Sequence, residues 1–161
     1  MTERPPTIRL YRPDDRPAVA ALVLSTLREF GLPDQLGSIE ADLDAFAERY
    51  CPPRGAFFVA ELDEAFAGTV AIRPKNESTC ELKRLYLHGT ARGRGLGQRL
   101  YEHAEAFARA AGYTTIWLDS SRRFSQARRL YERNGFVLLD ELENDWEDNV
   151  YEKRLPHHLP R

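Results

Sequence analysis

Hydrophobic residues recur along this chain with two periods, and each change of period marks a new element. Thr7 to Tyr11 alternates apolar and polar residues, which predicts a short first strand. Arg12-Pro13-Asp14-Asp15 interrupts it, and either aspartate can cap a following helix. From Arg16 to Phe30 the apolar residues return at helical spacing, with Val19, Leu22, Val23 and Leu27 on one face, until Gly31-Leu32-Pro33. After a polar loop, Ile39 to Tyr50 repeats the pattern with Leu43, Phe46 and Tyr50, and Cys51-Pro52-Pro53 stops this second helix.

The period then shortens. Ala56 to Leu62 and Phe66 to Ile72 read as two strands joined across Asp63-Glu64 in an antiparallel hairpin. A polar loop, Arg73 to Thr79, precedes a strand over Cys80 to Leu87. The long helix from Gly95 to Ala111 buries Leu96, Leu100, Ala104, Phe107, Ala108 and Ala111, and Gly112 closes it. Thr114 to Asp119 reads as a strand, and Ser125 to Asn134 as a helix ended by Gly135. Phe136 to Leu139 and Val150 to Leu155 finish the sheet, with an acidic loop from Asp140 to Asn149 between them. The order β-α-α-β-β-β-α-β-α-β-β predicts an α/β fold: a mixed sheet of about seven strands with about four helices on its faces.

Composition narrows the class. The 161 residues suffice for one domain, with a core over 7–155 and a tail over 156–161 that contains His157 and His158. The net charge of −2 disfavours a general nucleic-acid binder, although arginines cluster between Arg92 and Arg133. No apolar run is long enough for a membrane span, and Met1 to Pro6 lacks a signal-peptide core, so a cytoplasmic protein is expected. Cys51 and Cys80 lack metal-ligand spacing and read as reduced core thiols; no metal is expected.

Arg92-Gly93-Arg94-Gly95-Leu96-Gly97 carries the chemistry. Three alternate glycines permit positive φ and a close backbone approach, and the helix that follows presents free N–H groups and its positive dipole end. That combination suits a phosphate. Gln98 stands where a third glycine of G-x-G-x-x-G would be, and no Gly-Lys-Ser/Thr follows, so neither common nucleotide loop is present. Taken alone, the turn reads equally as a tight strand-to-helix connection.

The run fits Gln/Arg-x-x-Gly-x-Gly/Ala, and through it the chain resembles the GNAT superfamily of acyl-CoA-dependent N-acetyltransferases. Glu81-Leu82-Lys83-Arg84-Leu85-Tyr86-Leu87 is similar to that family's fourth strand, and Ala127-x-x-Leu130-Tyr131-x-x-x-Gly135-Phe136 to its last helix and following strand. The resemblance implies a mostly antiparallel sheet splayed between strands four and five, with acetyl-CoA as cosubstrate in the gap. It assigns the coenzyme pyrophosphate to Arg92, Gly93, Arg94, Gly95, Leu96 and Gly97. The amides of Leu85 and Leu87 would pair with the pantetheine arm, and that of Leu85 or Tyr86 would polarise the acetyl carbonyl. Arg92, Arg94 and Arg99 are candidate phosphate contacts, with Arg128 more distant.

Two residues are candidates for moving protons. Tyr131, beside the coenzyme sulfur in the family, is the candidate general acid: a phenol of pKa ~10 can protonate a thiolate of pKa ~8.5. Glu81 stands eleven residues before Arg92, where some family members carry a catalytic base; ordered water is the alternative. Asp119, His88 and the Asp140–Asp148 loop are candidates for recognising a cationic substrate, and each also reads as ordinary surface. One position departs from the family: Phe124 replaces an asparagine that contacts the coenzyme, so that contact is not carried over. The expected activity is acetyl transfer to a primary amine of a small molecule or peptide, without nucleic-acid or membrane partners and with a homodimer possible from the resemblance. A non-catalytic acyl-CoA-binding module is the alternative.

Overall fold

The structure, a computed structural model, describes residues 4–33 and 36–156; His157 and His158 lie outside the described residues. Strand β1 (Thr7–Leu10) leads through a 3-10 turn to helices α1 (Arg16–Glu29), α2 (Leu36–Asp44) and α3 (Phe46–Arg49). Strands β2 (Ala56–Leu62), β3 (Ala65–Pro74) and β4 (Thr79–Leu87) follow, and a second 3-10 turn, Gly89–Ala91, leads to α4 (Leu96–Ala110). The chain continues through β5 (Thr115–Ser121), α5 (Ser125–Arg133), β6 (Val137–Glu141) and β7 (Asp148–Arg154). The sheet has seven strands in the order β1-β2-β3-β4-β5-β7-β6. Every neighbouring pair is antiparallel except β4 and β5, which are parallel.

A hydrophobic layer lies on each face of the sheet. One packs α4 and α5 through Leu100, Ala104, Ala108 and Leu130 against Val70, Leu82 and Ile116. The other packs α1 and α2 through Val19, Val23, Leu27, Ile39 and Leu43 against Phe57, Val59 and Ala71. Because β2 and β3 are covered on both faces, they read as nearly continuous apolar runs. Asp63 and Glu64 both have positive φ, 53° and 66°, as a two-residue hairpin turn that matches strand twist requires.

Three expectations need correction. The second helix does not run unbroken from Ile39 to Tyr50: Ala45 (φ −92°, ψ 18°) separates α2 from α3, giving five α-helices among the described residues. The break returns the chain so that the Tyr50 hydroxyl donates to Asp42 at 2.7 Å and Phe46 stacks beside Tyr11. Cys51 is exposed, beyond the end of α3, and is no core thiol; Cys80 on β4 is buried, and burial pushes its thiol up to about 12. The acidic loop is also shorter, because β6 runs to Glu141 and β7 begins at Asp148.

The sheet opens where the parallel pair ends. Strand β4 pairs with β5 only over Thr79–Glu81 against Thr115–Trp117, whereas β5 stays paired with β7 on its other edge from Thr115 to Ser121. Leu82 to Leu87 therefore has no strand partner on its β5 side. Opposite, the β3 register steps from Thr69↔Tyr86 to Ala71↔Lys83, so β4 holds one extra residue, a β-bulge. Arg84 within it has φ 57°, rare for a residue with a side chain. Its carbonyl accepts a 2.6 Å hydrogen bond from the Thr69 hydroxyl.

Candidate active site

The glycine turn, α4, α5 and the free edge of β4 enclose a groove of about 360 Å³. Gly93 and Gly95 have φ of 74° and 79°, and a Cβ at either would meet no atom within 4 Å. Both positions thus need left-handed backbone and leave open space over it. The first hydrogen bond of α4 runs from the Arg99 amide to the Gly95 carbonyl, and no side chain caps the helix. The amides of Leu96, Gly97 and Gln98 are left for an anion at the positive end of the dipole. Leu96 contributes only its backbone, since its side chain is buried in the core.

The arginines differ in position. Arg92 lines the groove, yet its guanidinium forms a fork with Glu29 on α1, at 2.6 and 2.8 Å, and lies over the Phe30 ring. That bond, and the arginine charge, hold the Glu29 carboxyl below its ordinary range. Arg94 and Arg99 are exposed and line neither this groove nor the cavity described next, and Arg128 pairs with Glu132 on the outside of α5. His88 is exposed and lines neither space.

Sequence reasoning missed other groove residues. Gln126, Arg129, Leu130 and Arg133 line it from one face of α5, and their helical spacing is the signal that could have revealed them. Gln98 and Asn134 exchange hydrogen bonds of 2.9 and 2.8 Å, fastening the first turn of α4 to the end of α5.

A second cavity, about 280 Å³, adjoins the groove. Leu85, Tyr86, Phe124 and Ala127 line both spaces and form the boundary between them. Phe124 meets Phe30 edge-on at 5.0 Å and Tyr86 at 6.2 Å, so this departure from the family motif supplies an aromatic partition. Beyond it lie Lys83, Asp119, Ser121, Tyr131, Trp146 and Asp148.

Tyr131 is 4% exposed, and its ring packs against Phe136 and Tyr151. Its hydroxyl has no hydrogen-bond partner among the described residues, while no fully buried side-chain nitrogen or oxygen there is unsatisfied; the hydroxyl therefore opens to the cavity. Burial, reinforced by Tyr86, Tyr151 and Asp119, pushes this phenol well above its ordinary value. Glu81 stands at the vertex of the splay, 7% exposed, with Arg73 at 2.9 Å and Lys83 at 3.5 Å. Neither space is lined by it.

Known proteins resemble this chain in sequence and in fold. The model of the acetyltransferase (GNAT) family matches residues 23–136. An uncharacterised N-acetyltransferase of Escherichia coli, YjgM, is 31% identical, with 84% of each chain aligned. An acetyltransferase structure from Streptococcus agalactiae superposes with a TM-score of 0.81 at 24% identity, covering 93% of this chain and 98% of that one. For yncA from Salmonella typhimurium, solved with its cofactor acetyl-CoA, the TM-score is 0.79 at 18% identity, with 98% of each chain covered. A family match over most of the chain, a bacterial relative aligned along most of both sequences and a shared fold lead to one conclusion: this chain belongs to the GNAT family and is an acyltransferase.

Proposed function

We propose that the protein transfers the acetyl group of acetyl-CoA directly to a primary amine of a small molecule. The observation that carries this reading is the adjacency of two spaces across one boundary. The groove ends in unpaired helix amides suited to a pyrophosphate, and the cavity holds the free hydroxyl of Tyr131. The likeness to yncA, solved with acetyl-CoA, supports the same ligand here. Acetyl-CoA as cosubstrate also fits a cytoplasmic setting.

In this reading the amides of Leu96, Gly97 and Gln98 bind the pyrophosphate, with Gly93 and Gly95 shaping the approach. The pantetheine arm lies along the unpaired edge of Leu85 and Leu87, and the thioester reaches the Leu85–Tyr86 boundary. An amide at the Arg84 bulge polarises its carbonyl, the kind of fixed dipole that stabilises developing negative charge. The amine attacks from the cavity, the C–N bond forms, and the C–S bond breaks with its electron pair on sulfur. Tyr131 gives that sulfur a proton, and the proton shed by the new amide nitrogen restores the phenol. The position of Glu81, held by Arg73 and Lys83 outside both spaces, favours another base.

Amide-resolved NMR titration with acetyl-CoA tests the placement. The largest shifts are expected at Leu85, Tyr86 and Leu87 and from Gly93 to Gln98. Saturable binding that leaves those amides unmoved would contradict it.

A further inference from the structure

We infer that the acceptor is a small aliphatic cation lacking a carboxylate, its ammonium held between Asp119 and Asp148, with Asp148 taking the proton that frees the amine. This rests on the acetyl-transfer reading above and names the substrate class of the same site.

Charge accounting in the cavity leads to it. Each nearby cation is committed elsewhere. The Arg84 guanidinium donates to Asp42 at 3.0 Å, and Lys83 faces Glu81 at 3.5 Å. Arg122 spends its guanidinium on the carbonyls of Asp148 and Leu142 and the side chain of Asn149. The two carboxylates that line the cavity have no such partner. Asp119 makes no hydrogen bond or ion pair among the described residues, and the Asp148 carboxylate receives only the Asn144 amide, at 3.1 Å. Asp148 opposes Ser121 in the β5–β7 register and Asp119 opposes Val150, which brings the two acids close on neighbouring strands.

A second observation points independently to a ligand. The Tyr131 hydroxyl, on a side chain 96% removed from solvent by its 4% exposure, faces the same space without a partner. The cavity thus offers two acceptors for an ammonium beside a donor for the leaving sulfur. Trp146 adds an aromatic wall, which suits an alkyl cation.

Asp148 is the better proton acceptor of the pair. Burial raises its pKa, the Asn144 hydrogen bond lowers it, Asp119 raises it again, and Arg122 and Lys83 only partly offset this; the net shift is upward. Arg84, Tyr86 and Tyr131 line the same cavity; Arg84 is held by Asp42, and both phenols are raised, chiefly by burial. A base whose pKa moves up toward working pH is better matched to an ammonium donor. The ammonium passes one proton to Asp148, which releases it to solvent, and the amine lone pair then forms the C–N bond.

Three four-carbon primary amines separate the possibilities: butylamine, 1,4-diaminobutane and 4-aminobutanoate. With wild type, kcat/KM should be at least about tenfold lower for 4-aminobutanoate than for butylamine or the diamine, the range of a charge-assisted hydrogen bond lost to repulsion. Asp119→Asn, a change at an exposed side chain, should compress that preference and raise amine KM while leaving the acetyl-CoA thermal shift intact. Asp148→Asn keeps an acceptor for Asn144 and should lower kcat and abolish the acid limb of the rate profile. Preference for 4-aminobutanoate, no acetylation of any of the three, or a preference and acid limb unchanged in both variants would overturn the inference. A wild type with no acetyl-CoA thermal shift would instead overturn the acetyl-transfer reading beneath it.

Discussion

Arg84 and Asp42, 42 residues apart in the chain, form a buried ion pair: the arginine Nε lies 3.0 Å from the Asp42 Oδ2. The pair joins α2 to the one bulged, left-handed position of β4, immediately before the Leu85–Tyr86 boundary. The Asp42 side chain is 2% exposed and is also reached by Tyr50 and by Arg49. It is the acceptor that holds the bulge from below. Removing one partner of a buried pair strands the other charge, so Asp42→Ala should cost about 3–5 kcal/mol in urea unfolding. It should also lower kcat by loosening the amides after Arg84.

The same pair sets a pH dependence. Burial pushes the Asp42 carboxyl up, but the Arg84 charge and hydrogen bonds from Tyr50, Arg49 and Arg84 outweigh it, and the net shift is downward. A carboxyl depressed in the folded state stabilises fully above the unfolded value, ~3.9, and loses that contribution as pH falls through its folded pKa. The stability gap between wild type and Asp42→Ala should therefore be constant near neutrality and close below about pH 4. Urea midpoints measured across that range check it.

Tyr131→Phe keeps the ring against Phe136 and Tyr151, so thermal stability should hardly change. Loss of a general acid should lower kcat by ~10²–10⁴-fold, with acetyl-CoA affinity within a few-fold of wild type. The raised phenol pKa keeps the proton in place, so no alkaline loss of rate from this tyrosine is expected below about pH 10. Full kcat in the variant, with chemistry shown to be rate-limiting, would reduce Tyr131 to a packing residue.

Substitutions at two turn glycines should act by different routes. Gly95→Val forces a branched side chain into left-handed backbone, at ~1–2 kcal/mol or more, in otherwise empty space over the helix amides. It should abolish the acetyl-CoA thermal shift in a folded protein. At Gly97 a Cβ would lie 3.3 Å from Leu87 and 3.4 Å from Leu130, so Gly97→Val overpacks α4 against β4 and α5 by ~1–3 kcal/mol. Thermal scans with and without acetyl-CoA distinguish the two.

What was legible in the sequence had local causes. The glycine turn, the hairpin at Asp63-Glu64 and the succession of strands and helices along the chain announce themselves through neighbouring residues, because positive φ and hydrophobic period are properties of a few consecutive positions. The Arg84 bulge carries no such mark: nothing local to an arginine signals left-handed backbone, and its partner sits on another helix. Glu81 could be placed on its strand by spacing, but not its engagement with Arg73, which depends on the β3 register. The pairing of Asp119 with Asp148 is likewise a product of β5–β7 pairing.

Glu81→Gln separates the two carboxylate positions. It removes the charge facing Arg73 and Lys83, and stability should fall by about 1–3 kcal/mol, as for a buried partner left unmatched. The shape of the rate–pH profile should survive. A deficit confined to pH below the amine's own pKa, shrinking as free amine accumulates, would instead make Glu81 the base.

The central claim is acetyl transfer, and simultaneous measurement of thiol release and N-acetyl product tests it most directly. With acetyl-CoA and 1,4-diaminobutane, one equivalent of free thiol should appear for each equivalent of acetylated amine detected by mass spectrometry, and both should vanish in Tyr131→Phe on the same timescale. Saturable acetyl-CoA binding with no acetylated product from any amine of a broad panel would contradict the claim and leave a coenzyme-binding module of the same fold.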